Sequence, residues 1–333
     1  MNKLLLHPFI ITVIILLVYK TGSYGQAMIS PYWMYDNHYL TDKYLINPAF
    51  AGYQYYPKIF VGTQRMDLHP DAPSVHIAGF HSRLGIMHSY YSEYPSNYRT
   101  ERNAIGGLLF SDNNGPYHTT GIKLDYVYSV PLDRFHFNIL SFGLGGILFS
   151  KSIKAGKNIS TWNDDPFIAE NLGNRITIPD FNVSILFSHN DKFYAGFSVL
   201  QIIQNSDHDK LNYTTFPVYR NYYFLTGYRF ETNLLNIEPS VVVGHNLAPK
   251  NHTNYGNFVD INLELFLKQI AFTQSFRIGG YFTSSFLYRA NKLEMGVRAE
   301  WPSLNRSNAH LTSVALMISY TFLPSNFGRE DNY

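Results

Sequence analysis

Apolar and polar residues alternate along much of this chain. In "VDINLELFL", Val259, Ile261, Leu263, Leu265 and Leu267 share one side, and Asp260, Asn262 and Glu264 the other. "VALMISYTF" sets Val314, Leu316, Ile318, Tyr320 and Phe322 against Ala315, Ser319 and Thr321. "GIKLDYVYSV" sets Ile122, Leu124, Tyr126 and Tyr128 against Lys123, Asp125 and Ser129. Neighbouring side chains on a strand point to opposite faces, so a period of two predicts strands with one apolar and one polar face. The polar face carries Asp, Glu, Lys and Arg, which a packed sandwich core would not bury unpaired. It is therefore the solvated side of a soluble sheet or the wet lumen of a barrel whose other face meets lipid. Two features favour the barrel. Several segments run for about ten residues, longer than the usual five or six. Aromatics gather near segment ends, as in "RNYYFLTGYRF" at residues 220–230, where an interfacial belt belongs.

The pattern predicts an all-β, transmembrane antiparallel up-and-down β-barrel of about 14 strands, even in number as single-chain bacterial barrels are. Their centres fall near Phe60, Ile77, Leu108, Tyr126, Leu144, Ile185, Phe197, Leu225, Val242, Leu263, Gln274, Phe286, Val297 and Leu316. "LKQI" and "RANK" read as tight joints. Residues 163–179 and 204–218 read as long outward loops. Four regions follow: a signal peptide at 1–25, an N-terminal segment at 26–56, one barrel at 57–323 and a polar tail at 324–333.

Composition sharpens the choice. Charged residues are 15% of the 333, against about 25% in soluble domains, and Tyr (27) and Phe (25) raise the aromatic share to 17%. Low charge with abundant aromatics and no second long apolar run suits strands in lipid better than helices in lipid. A net charge of +2 supplies no basic stripe, so no nucleic acid is expected. Zero Cys removes disulfides, thiolate metal sites, cysteine nucleophiles and lipid attachment at an N-terminal Cys. At the N-terminus, Lys3, the apolar run "FIITVIILLVY" and the small residues of "SYG" read as an export signal cleaved before Gln26; a retained anchor helix is the alternative.

Catalytic patterns are missing: no H-E-x-x-H, G-x-S-x-G or Walker-type loop occurs, and no enzyme or cofactor is expected. Asp207, His208 and Asp209 in "SDHDK" read as a solvated loop tip rather than a metal site. The glycines of "GLGGIL", at 143–148, read as close strand packing.

The stretch "YLINPAFAG" before strand one is different in kind. Pro48 fixes its own φ and pushes Asn47 out of the helical region, and Asn47 can close an Asx-type turn. Ala49, Ala51 and Gly52 let backbone pass close to backbone. This is a rigid turn, either tucked into the periplasmic mouth as a short plug or serving as a lead-in loop.

With its full extent "PYWMYDNHYLTDKYLINPAFAG", this stretch resembles the N-terminal hallmark of the PorP/SprF family of the type IX secretion system. "GTQRMDLHPDAPSVHIAGFHSRLG", "IGGLLFSDNNGPYHTTGIKLDYVYSVPL", "LSFGLGGIL", "IPDFNVSILFSHNDKFYAGFSV" and "IEPSVVV" are similar to the family in order and spacing. Arg65 stands where the family usually has Trp. The resemblance implies a non-catalytic outer-membrane barrel beside the type IX translocon. Its partners would be a secreted or surface adhesin cargo, translocon components and outer-membrane lipid, with a link to gliding motility. Asn47, Pro48, Ala49 and Gly52 would then form a docking turn, and Trp162 and Phe167 an aromatic outer loop that binds the partner. The alternative is a channel for hydrophobic small molecules of the fatty-acid-transporter type; a barrel hydrolase lacks its residues.

Overall fold

The computed structural model describes residues 40–66, 72–84, 102–154, 172–203, 220–246, 257–302 and 313–322, apart from positions 41, 55, 116, 174, 233 and 279. Fourteen antiparallel strands close into a barrel. They are β1 Lys58–Met66, β2 Ser74–Arg83, β3 Asn103–Asn114, β4 Tyr117–Pro131, β5 Asn138–Ile153, β6 Arg175–His189 and β7 Phe193–Leu200. There follow β8 Asn221–Tyr228, β9 Asn236–Asn246, β10 Phe258–Leu267, β11 Ile270–Arg277, β12 Tyr281–Ala290, β13 Leu293–Pro302 and β14 Ser313–Thr321. Phe230–Glu231 is a two-residue continuation of β8 that pairs with the start of β9. Each centre read from the sequence lies within its strand. Closure comes from β14 on β1, from Lys58 opposite Thr321 to Met66 opposite Ser313. It removes the sheet edges that lipid could not hydrogen-bond.

The alternation sorts the side chains. Ile122, Leu124, Tyr126 and Tyr128 of β4 are exposed on the outside, while Lys123, Asp125 and Ser129 are buried inside. β10 repeats this, with Ile261 and Leu263 outward and Asp260 and Asn262 inward. A lysine in place of Leu263, near the middle of β10, would carry its charge into lipid. Leu263→Lys is expected to lower barrel stability by about 2–4 kcal/mol, read by urea unfolding in liposomes.

The ends of the barrel differ. Both the start of β1 and the end of β14 lie at one end, where most joints are short. The tight joints read from "LKQI" and "RANK" turn on Lys268 (φ 46°) and Asn291 (φ 54°), left-handed positions such turns require. At residues 132–137 the Asp133 carboxylate accepts from the N–H groups of Phe135 (2.9 Å), Phe137 (3.1 Å) and Asn138 (2.6 Å). The connections 67–73, 154–174, 201–220, 247–257 and 303–312 all leave the opposite end. Short turns face the periplasm and long loops the outside, so the terminal end is the inner mouth. One long connection, 84–102, also lies there.

One loop boundary is corrected. Residues 175–179, expected in the outer loop, form the start of β6, with Pro179 opposite Leu148 of β5. A proline inside a strand is tolerated where its missing N–H faces an unpaired edge, and β7 does not extend that far. Trp162, Phe167, the SDHDK tip, the N-terminal export signal and the C-terminal tail lie outside the described residues.

Candidate functional site

The segment just before β1 is built by local chemistry. Asp42 accepts from the Tyr44 N–H at 3.0 Å and caps the single 3₁₀ turn Lys43–Leu45. Asn47, in an extended conformation, repeats the device for the turn Pro48–Gly52 by accepting from the Ala49 N–H at 3.0 Å. Pro48 occupies the first helical position, where its absent N–H costs nothing. Turns this short do not hold themselves together in water, so their stability comes from what surrounds them.

What surrounds them is the lumen wall. Pro48–Gly52 is wholly buried, as is Asn47. The Ser184 hydroxyl of β6 accepts from the Ala49 N–H at 2.9 Å, and Ser198 of β7 donates to the Ile46 carbonyl at 2.5 Å. Asn47 Nδ2 donates to the Ile185 carbonyl at 3.3 Å, and Arg83 Nε to the Gly52 carbonyl at 2.6 Å. Phe50 packs edge-on to Tyr194, with ring centroids 5.5 Å apart. Strand glycines make the room. A Cβ on Gly143 would stand 2.9 Å from Ala49 N, and one on Gly106 would stand 2.6 Å from the Tyr44 ring. The close-packing reading of "GLGGIL" holds at Gly143, against Ser184 of β6, and at Gly145, against Asp125 of β4, and Gly143 has a second neighbour. Gly143 admits the N-terminal segment and Gly145 admits the Asp125 carboxylate, whereas Gly146 meets nothing within 4 Å.

Charge fixes the segment at three points. Asp42 faces Lys58 Nζ (3.3 Å) and His81 Nε2 (3.1 Å), and Lys58 also reaches Glu294 at 3.5 Å. Burial alone would raise the Asp42 pKa, but Lys58 and His81 outweigh it and hold the carboxyl well below the usual range. Lys43 pairs with Glu238 of β9 at 2.9 Å, and Glu238 also holds Arg229 at 2.9 Å. Tyr44 donates to Asp125 of β4 at 2.5 Å, while Lys123 Nζ lies 3.3 Å from the same carboxylate and 4.3 Å from the Tyr44 ring centroid. The segment thus bridges β13, β1 and β2 on one side to β9 on the other, across the inner mouth.

Asn47, Pro48, Ala49 and Gly52, singled out in the sequence, therefore come together as one buried unit. Sequence reasoning missed their wall partners Ser184, Ile185 and Arg83, and the charged groups that hold the rest of the segment, Asp42, Lys58, His81, Asp125 and Glu238. The available signal was the recurrence of charge at lumen-facing positions near strand ends, but nothing local says which charge meets which. Among the described residues no group of three or more His, Asp or Glu side chains could hold a metal ion.

The family model for the type IX secretion system membrane protein PorP/SprF matches residues 31–320. A comparison with curated proteins finds no match. Among solved structures, the CymD monoaromatic hydrocarbon channel is similar at 9% identity, covering 83% of this chain and 91% of its own, with a TM-score of 0.49. The P. putida toluene transporter TodX is similar at 8% identity, over 83% of this chain and 92% of its own, with a TM-score of 0.44. Outer membrane protein Omp33 of Acinetobacter baumannii is similar at 10% identity, over 81% of this chain and 100% of its own, with a TM-score of 0.43.

Proposed function

The chain belongs to the PorP/SprF family of type IX secretion system membrane proteins, and from that premise we propose that it is a non-catalytic outer-membrane barrel that binds and helps export or surface-anchor a partner protein. The partner is a large adhesin or other secreted cargo, held beside the translocon, with a link to gliding motility. The observation that carries this reading is the segment seated in the inner mouth. Residues 42–53 turn that end of the lumen into fixed protein surface, joined to the wall through Asp42, Lys43, Tyr44 and Ala49. A conduit for hydrophobic molecules needs an apolar path. The wall around this segment sets Lys58, Arg83, Lys123, Asp125 and Glu238 among its buried apolar side chains, such as Phe60, Leu108 and Leu186, so charge interrupts the apolar lining.

In this reading Asn47, Pro48, Ala49 and Gly52 form the docking turn that orders the mouth. Trp162 and Phe167, in the outer connection between β5 and β6, are aromatic anchors for the partner. Export follows removal of residues 1–25. The test is mild-detergent purification from native outer membranes with mass spectrometry of what co-elutes. A stoichiometric surface protein or translocon subunit is the expected result, and replacing both Trp162 and Phe167 by Ala should reduce its recovery. A lone barrel carrying bound hydrophobic molecules would overturn the reading in favour of a channel.

A further inference from the structure

The outward face changes character along β4, β5 and β6. From the inner mouth upward, β4 presents Val130, Tyr128, Tyr126, Leu124 and Ile122. β5 presents Leu140, Phe142, Leu144, Gly146 and Leu148, and β6 presents Phe187, Ile185, Val183, Phe181 and Pro179. None of these carries a charge. Val130 to Ile122 is about 26 Å of strand at ~3.3 Å per residue. Tilted by about 40°, that length gives ~20 Å of height, most of the ~25 Å apolar band of such barrels. The next outward positions therefore stand at the headgroups of the outer leaflet.

Those positions form a grid. Thr120 of β4 is opposite Ser150 of β5, and Ser150 is opposite Thr177 of β6. One step higher the row is His118, Ser152 and Arg175. Cross-strand neighbours on one face lie about 5 Å apart, so each side chain adjoins the next. Lys154 follows directly on β5, and Lys154, Arg175 and Thr177 are all exposed.

The grid gathers positive charge. Arg175 Nε donates to Ser150 Oγ at 2.7 Å, which ties the guanidinium to β5 and leaves its Nη groups to bind elsewhere. The His118 ring is bonded to Asn113 of β3. Lys154 and Arg175 both lie near enough to that ring to act on its charge. Among the described residues no carboxylate pairs with Lys154 or Arg175. The far wall is different. Near the outer ends of β11, β12 and β13 the outward row is Phe276, Phe282 and Trp301, so the cations belong to one side of the rim.

We propose that the outward grid of β4–β6, headed by Lys154 and Arg175, binds the phosphate of an outer-leaflet lipid. An arginine fork takes phosphate oxygens in pairs, a lysine adds a point charge, and serine and threonine hydroxyls donate to the oxygens that remain. Height argues for a lipid over a soluble ligand. The acyl chains of a lipid held here would run down Ile122, Leu148 and Phe181, which are exposed directly beneath. The site requires only that the barrel stands in an outer membrane, and it goes beyond the choice of partner.

The test uses the full-length chain reconstituted in phosphatidylcholine vesicles, with and without monophosphoryl lipid A. The folding equilibrium constant of wild type, read by urea titration, should rise about tenfold once that lipid is at about ten times its dissociation constant. Salt at about 1 M should remove most of the gain. Lys154→Gln combined with Arg175→Gln should match wild type in phosphatidylcholine alone and lose the gain. Arg134→Gln, which removes an exposed arginine at the inner mouth, should keep it. Lipid A stripped of phosphate should give none, and neither should inorganic phosphate. The inference is overturned if wild type gains nothing, if the double variant gains as much, or if the stripped lipid works equally well. A gain from inorganic phosphate alone would overturn the lipid as its source. Should the double variant keep the lipid response and lose a protein that co-purifies with wild type from native membranes, the grid belongs to that protein instead.

Discussion

Asp42→Ala is expected to unseat the inner-mouth segment and leave the barrel inserted. Amide exchange at Leu45, Asn47, Phe50 and Tyr53, whose N–H groups bond within the segment, should rise about 100-fold, the equivalent of about 3 kcal/mol. Breaking a buried pair by removing one partner costs about 3–5 kcal/mol. The lower end applies because Lys58 retains Glu294 at 3.5 Å and is not left alone. The substitution also deletes the cap on Tyr44 N. Trypsin supplies an independent readout, since Lys43 is held against Glu238 in the wild type and becomes cleavable once the segment opens. The acid dependence has a definite sign. The folded pKa of Asp42 is depressed. Its contribution is thus fully present above the unfolded value near ~4 and lost as pH falls through the lower folded value. In wild type this carboxyl should keep the segment seated at pH 5, with release only in stronger acid. Unchanged exchange in Asp42→Ala would mean that Asp42 does not hold the segment.

The strands were legible because lipid outside and a closed interior that takes up the polar residues impose a period of two along the crossings. "VDINLELFL" states that rule without ambiguity. The loop boundary at residues 175–179 was misread because proline is an ordinary loop signal. Its compatibility with β6 depends on where another strand, β7, stops. The rigidity of the Asn47–Pro48 turn was legible for a similar reason, since both residues act on their own backbone. The contacts that seat the segment around it were not. Lys43 meets Glu238 across 195 residues and Tyr44 meets Asp125 across 81, and no local pattern encodes such pairings. Gly143 was ambiguous too. A strand glycine marks close approach of something, and only the closed barrel identifies that something as Ser184 of β6 together with the main chain of Pro48 and Ala49.

Gly143→Leu should therefore have the largest effect of any single lumen substitution on the seated segment. Its Cβ would meet the Ser184 hydroxyl first, and would stand 2.9 Å from Ala49 N and 3.2 Å from the Pro48 carbonyl carbon, main-chain atoms of a turn that proline and the Asn47 cap hold rigid. A flexible side chain could swing aside, but this backbone cannot. Overpacking generally costs about 1–3 kcal/mol, and rigid main chain puts this site at or above the upper figure. Displacing the turn would break its bonds with Ser184, Ser198, Ile185 and Arg83 together. Tryptic cleavage after Lys43 should rise about 100-fold or more, since cleavage follows the open population when reclosing is fast. Gly146→Ala, three residues along the same strand and on its outward side, controls for the loss of a β5 glycine as such. Its Cβ meets nothing within 4 Å, so cleavage should stay at the wild-type rate. If both variants stay protected, the segment seats without needing the space at Gly143. If both open, strand β5 itself has been disturbed. Only the split result separates a wall shaped around its N-terminal segment from a wall that merely tolerates it.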